Sequence, residues 1–424
     1  MAATEKGVWD LQEVRDKQLA GEWSYEAEGD PGSLYTWGFA EYGALGNNTG
    51  SNNHKSSPTQ IGTEATWTSL TINNTSGGIK SDGTIWTWGL NQHGALGQGT
   101  NVWKSSPVQL PGTWGSIAIS YYTMAAVKTN GTMWVSGRNQ QGQLGQNTGG
   151  YMTGRRSSPV QIPGTWNPTQ GATYMTSANS DGGVIHVKTD GTMWVWGQNQ
   201  NSQLPVNGQD GSGNPAPYGL SSPVQVGTDT DWGYGEGKLG GNGDNTTFNI
   251  KTDGSLWGWG NSGDAALFGY PNSNSTPNNA NQSSPIQIGA ETNWAWVPPN
   301  GGKGEYNKMM AAIKTAGTLW TWGLKKNGCL GHNEHGGPSG EEDPISSPKQ
   351  VGTDTTWKTV ALGGYACYAT KTDNTFWVWG ESSYVGKLGD NKRINRSSPT
   401  QLPGTDWKIG SGGKYNGGGL KFAS

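Results

Sequence analysis

Apolar and polar side chains alternate along this chain in short runs, and one run returns seven times. It reads Leu34-Tyr35-Thr36-Trp37-Gly38, then Ile85-Trp86-Thr87-Trp88-Gly89 and Met133-Trp134-Val135-Ser136-Gly137. It recurs as Met193-Trp194-Val195-Trp196-Gly197, Leu256-Trp257-Gly258-Trp259-Gly260, Leu319-Trp320-Thr321-Trp322-Gly323 and Phe376-Trp377-Val378-Trp379-Gly380. β-Branched and aromatic residues at period two predict a strand, with one indole on each side of its sheet. In the copy that starts at Trp67, an extended segment precedes it from Thr66 to Ile72, and a second is centred on Gly78-Ile79-Lys80. These are strands A and B, and the indole run is strand C. Asp82-Gly83 joins B to C, with Asn130-Gly131, Asp190-Gly191 and Asp253-Gly254 at the same place in other copies. Such pairs accept the positive φ of a two-residue hairpin. A Ser-Ser-Pro-x-Gln phrase follows each copy, at Pro58, Pro107, Pro159, Pro223, Pro285, Pro348 and Pro399. Proline at its head suits an edge strand, D.

Four antiparallel strands at a spacing of about 49 to 64 residues predict the blades of a propeller. An α-solenoid lacks its helical period here, and a β-helix has much shorter repeats. The ends predict closure. The first copy begins at strand C, near Leu34, and the chain ends on an A segment, Trp407-Lys408-Ile409-Gly410, and a B segment, Gly419-Leu420-Lys421-Phe422. Pairing them completes a seventh blade and removes two free sheet edges. The expected fold is all-β: a seven-bladed β-propeller over residues 33–424, its closing blade shared between the N- and C-terminal strands. Residues 1–32 are expected to form a short amphipathic helical tail, with Trp9, Leu11, Val14 and Trp23 as an attachment tether or as a cap on the ring.

Composition changes this picture little. Of 424 residues, 71 are glycine and 23 tryptophan. The glycines sit at fixed offsets in the repeat, which argues for turns rather than low complexity, and the indoles supply buried area that scarce aliphatics do not. A net charge of −3 without a basic block argues against nucleic-acid binding. Cys329 and Cys367 lie in different repeats, so a disulfide scaffold is not expected. His332 and His335 near Cys329 are a weak metal signal. No apolar stretch approaches membrane-spanning length, and the N-terminal residues carry no export signal. No nucleophile elbow, phosphate loop or catalytic carboxylate pair is present, so no cofactor, metal or enzymatic activity is expected.

Topology then sorts the connections. In an antiparallel blade the A–B and C–D connections leave one face of the ring, and B–C and D–A leave the other. Nearly all length variation falls in the first set. Its aromatics, Trp103, Tyr151, Tyr218, Tyr234, Tyr270, Trp296 and Tyr306, lie among Asn, Gly and Ser, the mixture of an adaptable recognition surface. The alternative is a set of tolerated insertions with turn composition. A lysine before each B–C turn (Lys80, Lys128, Lys188, Lys251, Lys314, Lys371, with Lys421 at the matching end) reads as an outward strand residue screened by Asp82, Asp190, Asp253 and Asp373, or else as an anion-binding ring. The strand C tryptophans read as blade-to-blade core.

After each Trp-Gly a second element follows: Gly43-Ala44-Leu45-Gly46, Gly94-Ala95-Leu96-Gly97, Gly142-Gln143-Leu144-Gly145, Gly328-Cys329-Leu330-Gly331 and Gly386-Lys387-Leu388-Gly389. Two copies depart, Ser202-Gln203-Leu204-Pro205 and Ala265-Ala266-Leu267-Phe268. Together these phrases resemble the repeats of the regulator of chromosome condensation family. The resemblance implies a seven-bladed propeller with a split closing blade. Founding members of that family exchange nucleotide on a small nuclear GTPase and dock on chromatin through a basic tail that this sequence lacks. The Asn/Gly/Ser-rich copies look more like bacterial and viral repeats, and Gly7 to Val14 is similar to leader segments of phage structural proteins. The expected function is therefore a non-enzymatic binding or structural module. The specific expectation is a phage virion protein, made in the host cytoplasm, joined to a virion structural protein by its tail and recognising a host-surface glycan or protein through the long-loop face. The alternative is an intracellular regulator of a small GTPase.

Overall fold

The computed structural model describes residues 31–50, 53–148, 154–175, 182–200, 202–206, 219–241, 246–261, 267–268, 281–299, 309–334, 344–382 and 385–422. Its 28 strands fall into seven antiparallel sets of four. Blade 1 is the composite: A, Trp407–Gly412; B, Asn416–Phe422; C, Gly32–Gly38; D, Lys55–Ile61. Blade 2 uses Trp67–Thr71, Thr75–Lys80, Ile85–Gly89 and Lys104–Leu110; blade 3 uses Trp114–Ile119, Thr123–Lys128, Met133–Gly137 and Arg156–Ile162. Blade 4 uses Thr173–Met175, Gly183–Val187, Met193–Gln198 and Gly219–Gln225; blade 5 uses Leu239–Gly241, Thr246–Ile250, Leu256–Asn261 and Asn281–Gln287. Blade 6 uses Trp294–Trp296, Met309–Lys314, Leu319–Gly323 and Ile345–Gln350; blade 7 uses Trp357–Gly363, Ala366–Lys371, Phe376–Gly380 and Arg396–Leu402. The expected closure is present. Strand C of blade 1 pairs with strand B along its whole length, from Gly32 opposite Phe422 to Gly38 opposite Asn416. The expected N-terminal helical tail lies outside the described residues.

Why Trp-Gly ends each strand C is visible in the backbone. The glycine takes a positive φ, from 93° at Gly89 to 112° at Gly137, a region that side chains avoid. It also lies at the bulge between C and D. A Cβ there would strike the carbonyl of the A–B turn, Asn74 for Gly89 and Tyr122 for Gly137. The neighbouring amide, Leu90 or Arg138, donates to that same carbonyl.

Adjacent blades are joined by two repeated links. In the first, the buried indole of strand C donates to the previous blade's Gly-x-Leu-Gly element, at the x carbonyl. Trp88 reaches Ala44 O at 3.0 Å, Trp196 reaches Gln143 O at 3.0 Å, and Trp379 reaches Cys329 O at 2.8 Å. Trp37 reaches Lys387 O at 2.7 Å and so spans the closing seam between blades 7 and 1. Blade 3 has Ser136 in this slot, and its hydroxyl contacts Ala95 O at 3.3 Å. The two departing copies keep the link. Trp259 donates to Gln203 O and Trp322 to Leu267 O. Blade 5 is thereby shifted by one residue from the sequence alignment, with Leu267 at x and Phe268 in the leucine slot.

The second link explains Ser-Ser-Pro. A left-handed residue in the C–D loop donates its amide to the first serine's carbonyl in the next blade. Asn48, Asn147, Asn333 and Asn391 do so to Ser105, Ser221, Ser397 and Ser56, at 2.7 to 2.8 Å. Asparagine tolerates that conformation, and its side-chain oxygen accepts the second serine's hydroxyl, as Asn48 does from Ser106 at 3.3 Å.

The lysines before the B–C turns are neither outward nor an anion ring. Each ammonium lies between two aromatic rings of its own blade. Lys371 is 4.6 Å from the Trp357 ring and 4.0 Å from Trp377, and Lys314 is 4.8 Å from Trp294 and 3.9 Å from Trp320. Cation–π contact of this kind contributes most when water is excluded. The paired carboxylates come from the D–A links, not from the turn: Asp354 to Lys371 at 2.5 Å, Glu291 to Lys314 at 2.7 Å, Asp406 to Lys421 at 2.9 Å. The turn aspartates are occupied elsewhere. Asp82 accepts from the Thr84 amide and hydroxyl, and that hydroxyl accepts the Trp86 indole N–H. The Thr84 hydroxyl bond, more than any charge, holds the Asp82 carboxyl below the usual range.

Candidate functional site

Each A strand meets strand A or B of a neighbouring blade, so the A strands lie innermost and the A–B turns encircle the centre of the long-loop face, with the C–D loops outside them. Of the seven aromatics expected on this face, Trp103 is there, in the C–D loop of blade 2, 43% exposed beside the exposed Val102. Tyr151, Tyr218, Tyr270 and Tyr306 lie outside the described residues, as do Trp9, Leu11, Val14 and Trp23 of the expected tail.

Two placements are corrected. Tyr234 lies on the opposite, short-turn face. Residues 233–238 are inserted before strand A of blade 5, not after it. Gly233 is tied through its N–H and C=O to the buried Asn249 side chain, and strand A resumes at Leu239. Tyr234 thus borders a cleft of about 440 Å³ with Lys238, the B–C turn at Thr252 and Asp253, and Trp294. Trp296 is part of strand A in blade 6. Its ring packs against Gly237, and its N–H donates to Val360 O of the blade 7 A strand at 2.9 Å. It belongs to the inner wall.

The structure instead assembles an aromatic arc that these expectations missed. It follows the centre of that face from blade 7 through blades 1 and 2 to blade 3. The residue just before strand B is Tyr365 in blade 7, Tyr415 in blade 1, Asn74 in blade 2 and Tyr122 in blade 3. Tyr121 reaches back across the seam, its hydroxyl accepting from Asn74 Nδ2 at 2.8 Å. It meets Tyr122 edge to face at 4.7 Å, and Tyr122 meets His93 at 4.5 Å. In blade 1, Phe39 stacks on His54 at 5.1 Å and contacts Tyr415 at 5.4 Å. His54 is held by the Ala40 amide, which donates to its Nδ1 at 3.0 Å.

Tyr42 crowns this arc with φ 55° and ψ 18°, inside the short 3-10 turn Glu41–Gly43. A bulky residue at positive φ is a genuine outlier, of the kind that clusters at functional sites. Tyr365 repeats it at φ 54°. Tyr42 is 40% and Tyr415 38% exposed, so two large rings stand in solvent beside the half-buried Tyr121 and Tyr122. Burial, assisted by the neighbouring tyrosines, pushes the Tyr121 hydroxyl up to about 12.

The charge around the arc is basic. Arg138 lies over the Tyr122 ring at 5.6 Å, Lys414 over Tyr415 at 5.1 Å and Lys326 over Tyr365 at 5.2 Å. Burial, then Arg138 and Arg155, hold the His93 imidazole below its ordinary value, which favours its neutral form. Among the described residues of the A–B and C–D connections the carboxylates are Glu41, Glu334, Glu381 and Asp390. Three of these are ion-paired: Glu334 with Lys349, Glu381 with Lys387, Asp390 with Arg396. Arg155, Lys326 and Lys414 have no carboxylate within 4 Å among the described residues. Among the described residues, the arc thus sets cations beside its exposed rings.

No group of three or more metal-ligating side chains occurs among the described residues. Cys329 directs its thiol to Leu324 O, whereas His332 meets the Thr321 hydroxyl. Both cysteines are buried and unbridged. No helix of the described residues is long and apolar enough to cross a membrane.

Comparison with known proteins agrees with this architecture. The profile of the Regulator of chromosome condensation (RCC1) repeat matches residues 31–70, 82–125 and 316–370. The Ultraviolet-B receptor UVR8 of Arabidopsis thaliana is 23% identical over 328 residues, 75% of this chain. The alignment spans 65% of that relative's length. Among solved structures, Prp20p from Saccharomyces cerevisiae, described with its binding to Gsp1p and histones, superposes with TM-score 0.74 at 17% identity. That match covers 93% of this chain and 92% of Prp20p. Yeast RCC1 (Prp20) bound to Kap60 gives the same score over 100% of this chain and 95% of its own. Human WBSCR16 gives 0.70 at 16% identity, covering 92% and 99%.

Proposed function

We propose that this chain, a propeller of regulator of chromosome condensation repeats, is a non-catalytic module that binds a protein partner through the aromatic, basic arc of its long-loop face. The observation that carries the reading is the arc itself: exposed rings held at strained or turn positions, on a ring whose blades are otherwise cross-linked alike. Interfaces are enriched in tyrosine and arginine at their centres. The partners of Prp20p, namely Gsp1p, histones and Kap60, support a protein as the class of ligand. Within that class, the resemblance in the repeats favours a regulator of a small GTPase over a virion protein. The virion reading drew on the Asn/Gly/Ser-rich repeats and on residues 7–14, which lie outside the described residues, and the host-surface reading on the loop aromatics; the relatives named above lend neither support. A virion location stays tied to that segment.

The test is direct. The purified chain is added to a small GTPase of the Gsp1p type loaded with a fluorescent nucleotide, and both binding and nucleotide release are followed. Binding that weakens at least tenfold in Tyr42→Ala and Tyr122→Ala, with melting unchanged, supports the arc as the docking surface. Binding indifferent to both substitutions overturns that assignment. Absence of both binding and release removes the GTPase reading.

A further inference from the structure

The arc also specifies what kind of segment lies on it. We infer that its occupant is an extended acidic stretch of the partner, with apolar or aromatic side chains seated among Tyr42, Tyr415, Tyr121 and Tyr122 and carboxylates reaching Lys414 and Arg155. This rests on the long-loop-face reading above and goes beyond it by naming the chemistry of the bound segment.

Three observations carry it. First, the rings form a track rather than a pocket. Tyr415 and Tyr42 of blade 1 lie close enough to Tyr121 of blade 3 to act on its ionisation, and Asn74 of blade 2 bridges the gap through the Tyr121 hydroxyl. A track over three blades suits an extended chain. Second, two cations along it, Arg155 and Lys414, are not neutralised among the described residues. Lys414 and Arg138 lie over ring faces, and neither Arg155 nor Lys414 has a carboxylate within 4 Å among the described residues. Among the described residues, Glu41 is the carboxylate of the A–B and C–D connections of blades 1 to 3. Complementary charge of this sort sets specificity and association rate. Third, the aromatic face is pre-formed. Tyr121 is held by Asn74 and Tyr415 by Phe39, so less side-chain entropy is lost there on binding.

The experiment uses the full chain and fluorescein-labelled twelve-residue peptides. One alternates glutamate with leucine and tyrosine; the others replace glutamate by lysine or by glutamine. Fluorescence anisotropy is read at 50 and 200 mM salt. The acidic peptide is expected to bind at least tenfold tighter than either control and to weaken severalfold at the higher salt. Arg155→Glu, a surface change that leaves the fold intact, is expected to weaken it at least threefold, and Tyr122→Ala at least tenfold. Trp103→Ala, on the same face but off the arc, is expected to leave it unchanged. Equal binding of the three peptides overturns the inference, as does equal loss from Trp103→Ala and Tyr122→Ala. If a GTPase binds and depends on Tyr42 while the acidic peptide does not bind, the acidic occupant falls and the docking surface stands.

Discussion

Gly417 is the position at which one methyl group tests how the ring closes. It lies in strand B of blade 1, opposite Trp37. A Cβ added there comes within 2.6 Å of Trp37 Nε1 and 2.7 Å of Cε2. The indole has nowhere to go. It is fully buried, hemmed by Tyr368, Phe376 and Trp407 at 6.0 to 6.3 Å between ring centroids, and anchored by its 2.7 Å bond to Lys387 O. Overpacking a tight core costs about 1–3 kcal/mol, and displacing the N–H from a buried carbonyl adds about 1 kcal/mol. Gly417→Ala is thus expected to destabilise by about 3 kcal/mol. With an unfolding entropy of about 2.1 cal/mol/K per residue, that is ~4 °C in a ring of this size. The damage should be local first. Hydrogen exchange of the amides in Gly32–Gly38 and Asn416–Phe422 should accelerate before that of blade 4. Gly50→Ala is the control, since a Cβ there meets nothing within 4 Å. Trp37→Phe in the Gly417→Ala background removes the clashing edge, so the double substitution should cost less than the sum of the two. A Gly417→Ala ring that melts with the Gly50→Ala control, or strict additivity in the double variant, would refute the closing-seam argument.

Two further outcomes follow from buried titratable groups. His186 is fully buried, its Nε2 accepting the Asn167 amide at 3.0 Å and its Nδ1 facing the Thr173 hydroxyl at 2.9 Å, so the neutral ring has both nitrogens satisfied. Burial holds it down to about 3. The unfolded chain, at about 6.5, then binds the extra proton, so stability is full above pH 6.5 and falls on acidification, by about 2 kcal/mol at pH 5. His186→Asn, which copies Asn249 of the next blade, should flatten that part of a denaturant-midpoint titration between pH 7.5 and 5; an unchanged slope rejects the assignment. The second outcome concerns thiols. Burial pushes the Cys329 thiol up to about 12 and the Cys367 thiol well above its ordinary value. A disulfide-exchange reagent should label neither in the native protein at pH 8 and both in denaturant; rapid native labelling of either would contradict their placement.

The propeller was legible because every blade repeats the same physical solution. Trp-Gly marks a bulge that excludes any side chain, Ser-Ser-Pro marks an inter-blade bond, and Gly-x-Leu-Gly presents a carbonyl to the next indole. What the repeat does not announce is any contact that those three phrases do not make. Lys314 and Lys371 have the spacing of outward strand residues, and nothing local announces that two indoles close over each one. Tyr234 was placed on the wrong face because strand A of blade 5 is only Leu239–Gly241, a stretch without strand character, so the insertion before it passed for the loop after it. The arc escaped because its tyrosines occupy single turn positions. A signal existed: superposing the repeats on strand B puts Tyr122, Tyr365 and Tyr415 in the slot that is Asn74 in blade 2, and puts Tyr42 and His93 together before the Gly-x-Leu-Gly element.

Among the described residues, the departures from the repeat fall in two groups. Blades 7, 1 and 3 carry, among those residues, a tyrosine just before strand B on the long-loop face, and blade 2 carries Asn74 there and His93 in its C–D loop. Blades 4 and 5 instead insert residues 167–172 and 233–238 at the short-turn end, each pinned by a buried polar side chain of strand B, His186 or Asn249. Those insertions abut each other, Gly171 against Gly235, and Gly237 packs under Trp296 of blade 6. Loop tolerance alone would scatter variation around the ring and leave it unanchored. Here each group spans adjacent blades, is tied down by buried hydrogen bonds or left-handed backbone, and exposes rings, Tyr42 and Tyr415 in one case and Tyr234 in the other. Rigid support under exposed aromatics costs folding free energy without adding core. A partner docking on the long-loop face, as proposed above, would account for that expense at the aromatic arc, where exposed rings lie beside Arg155 and Lys414.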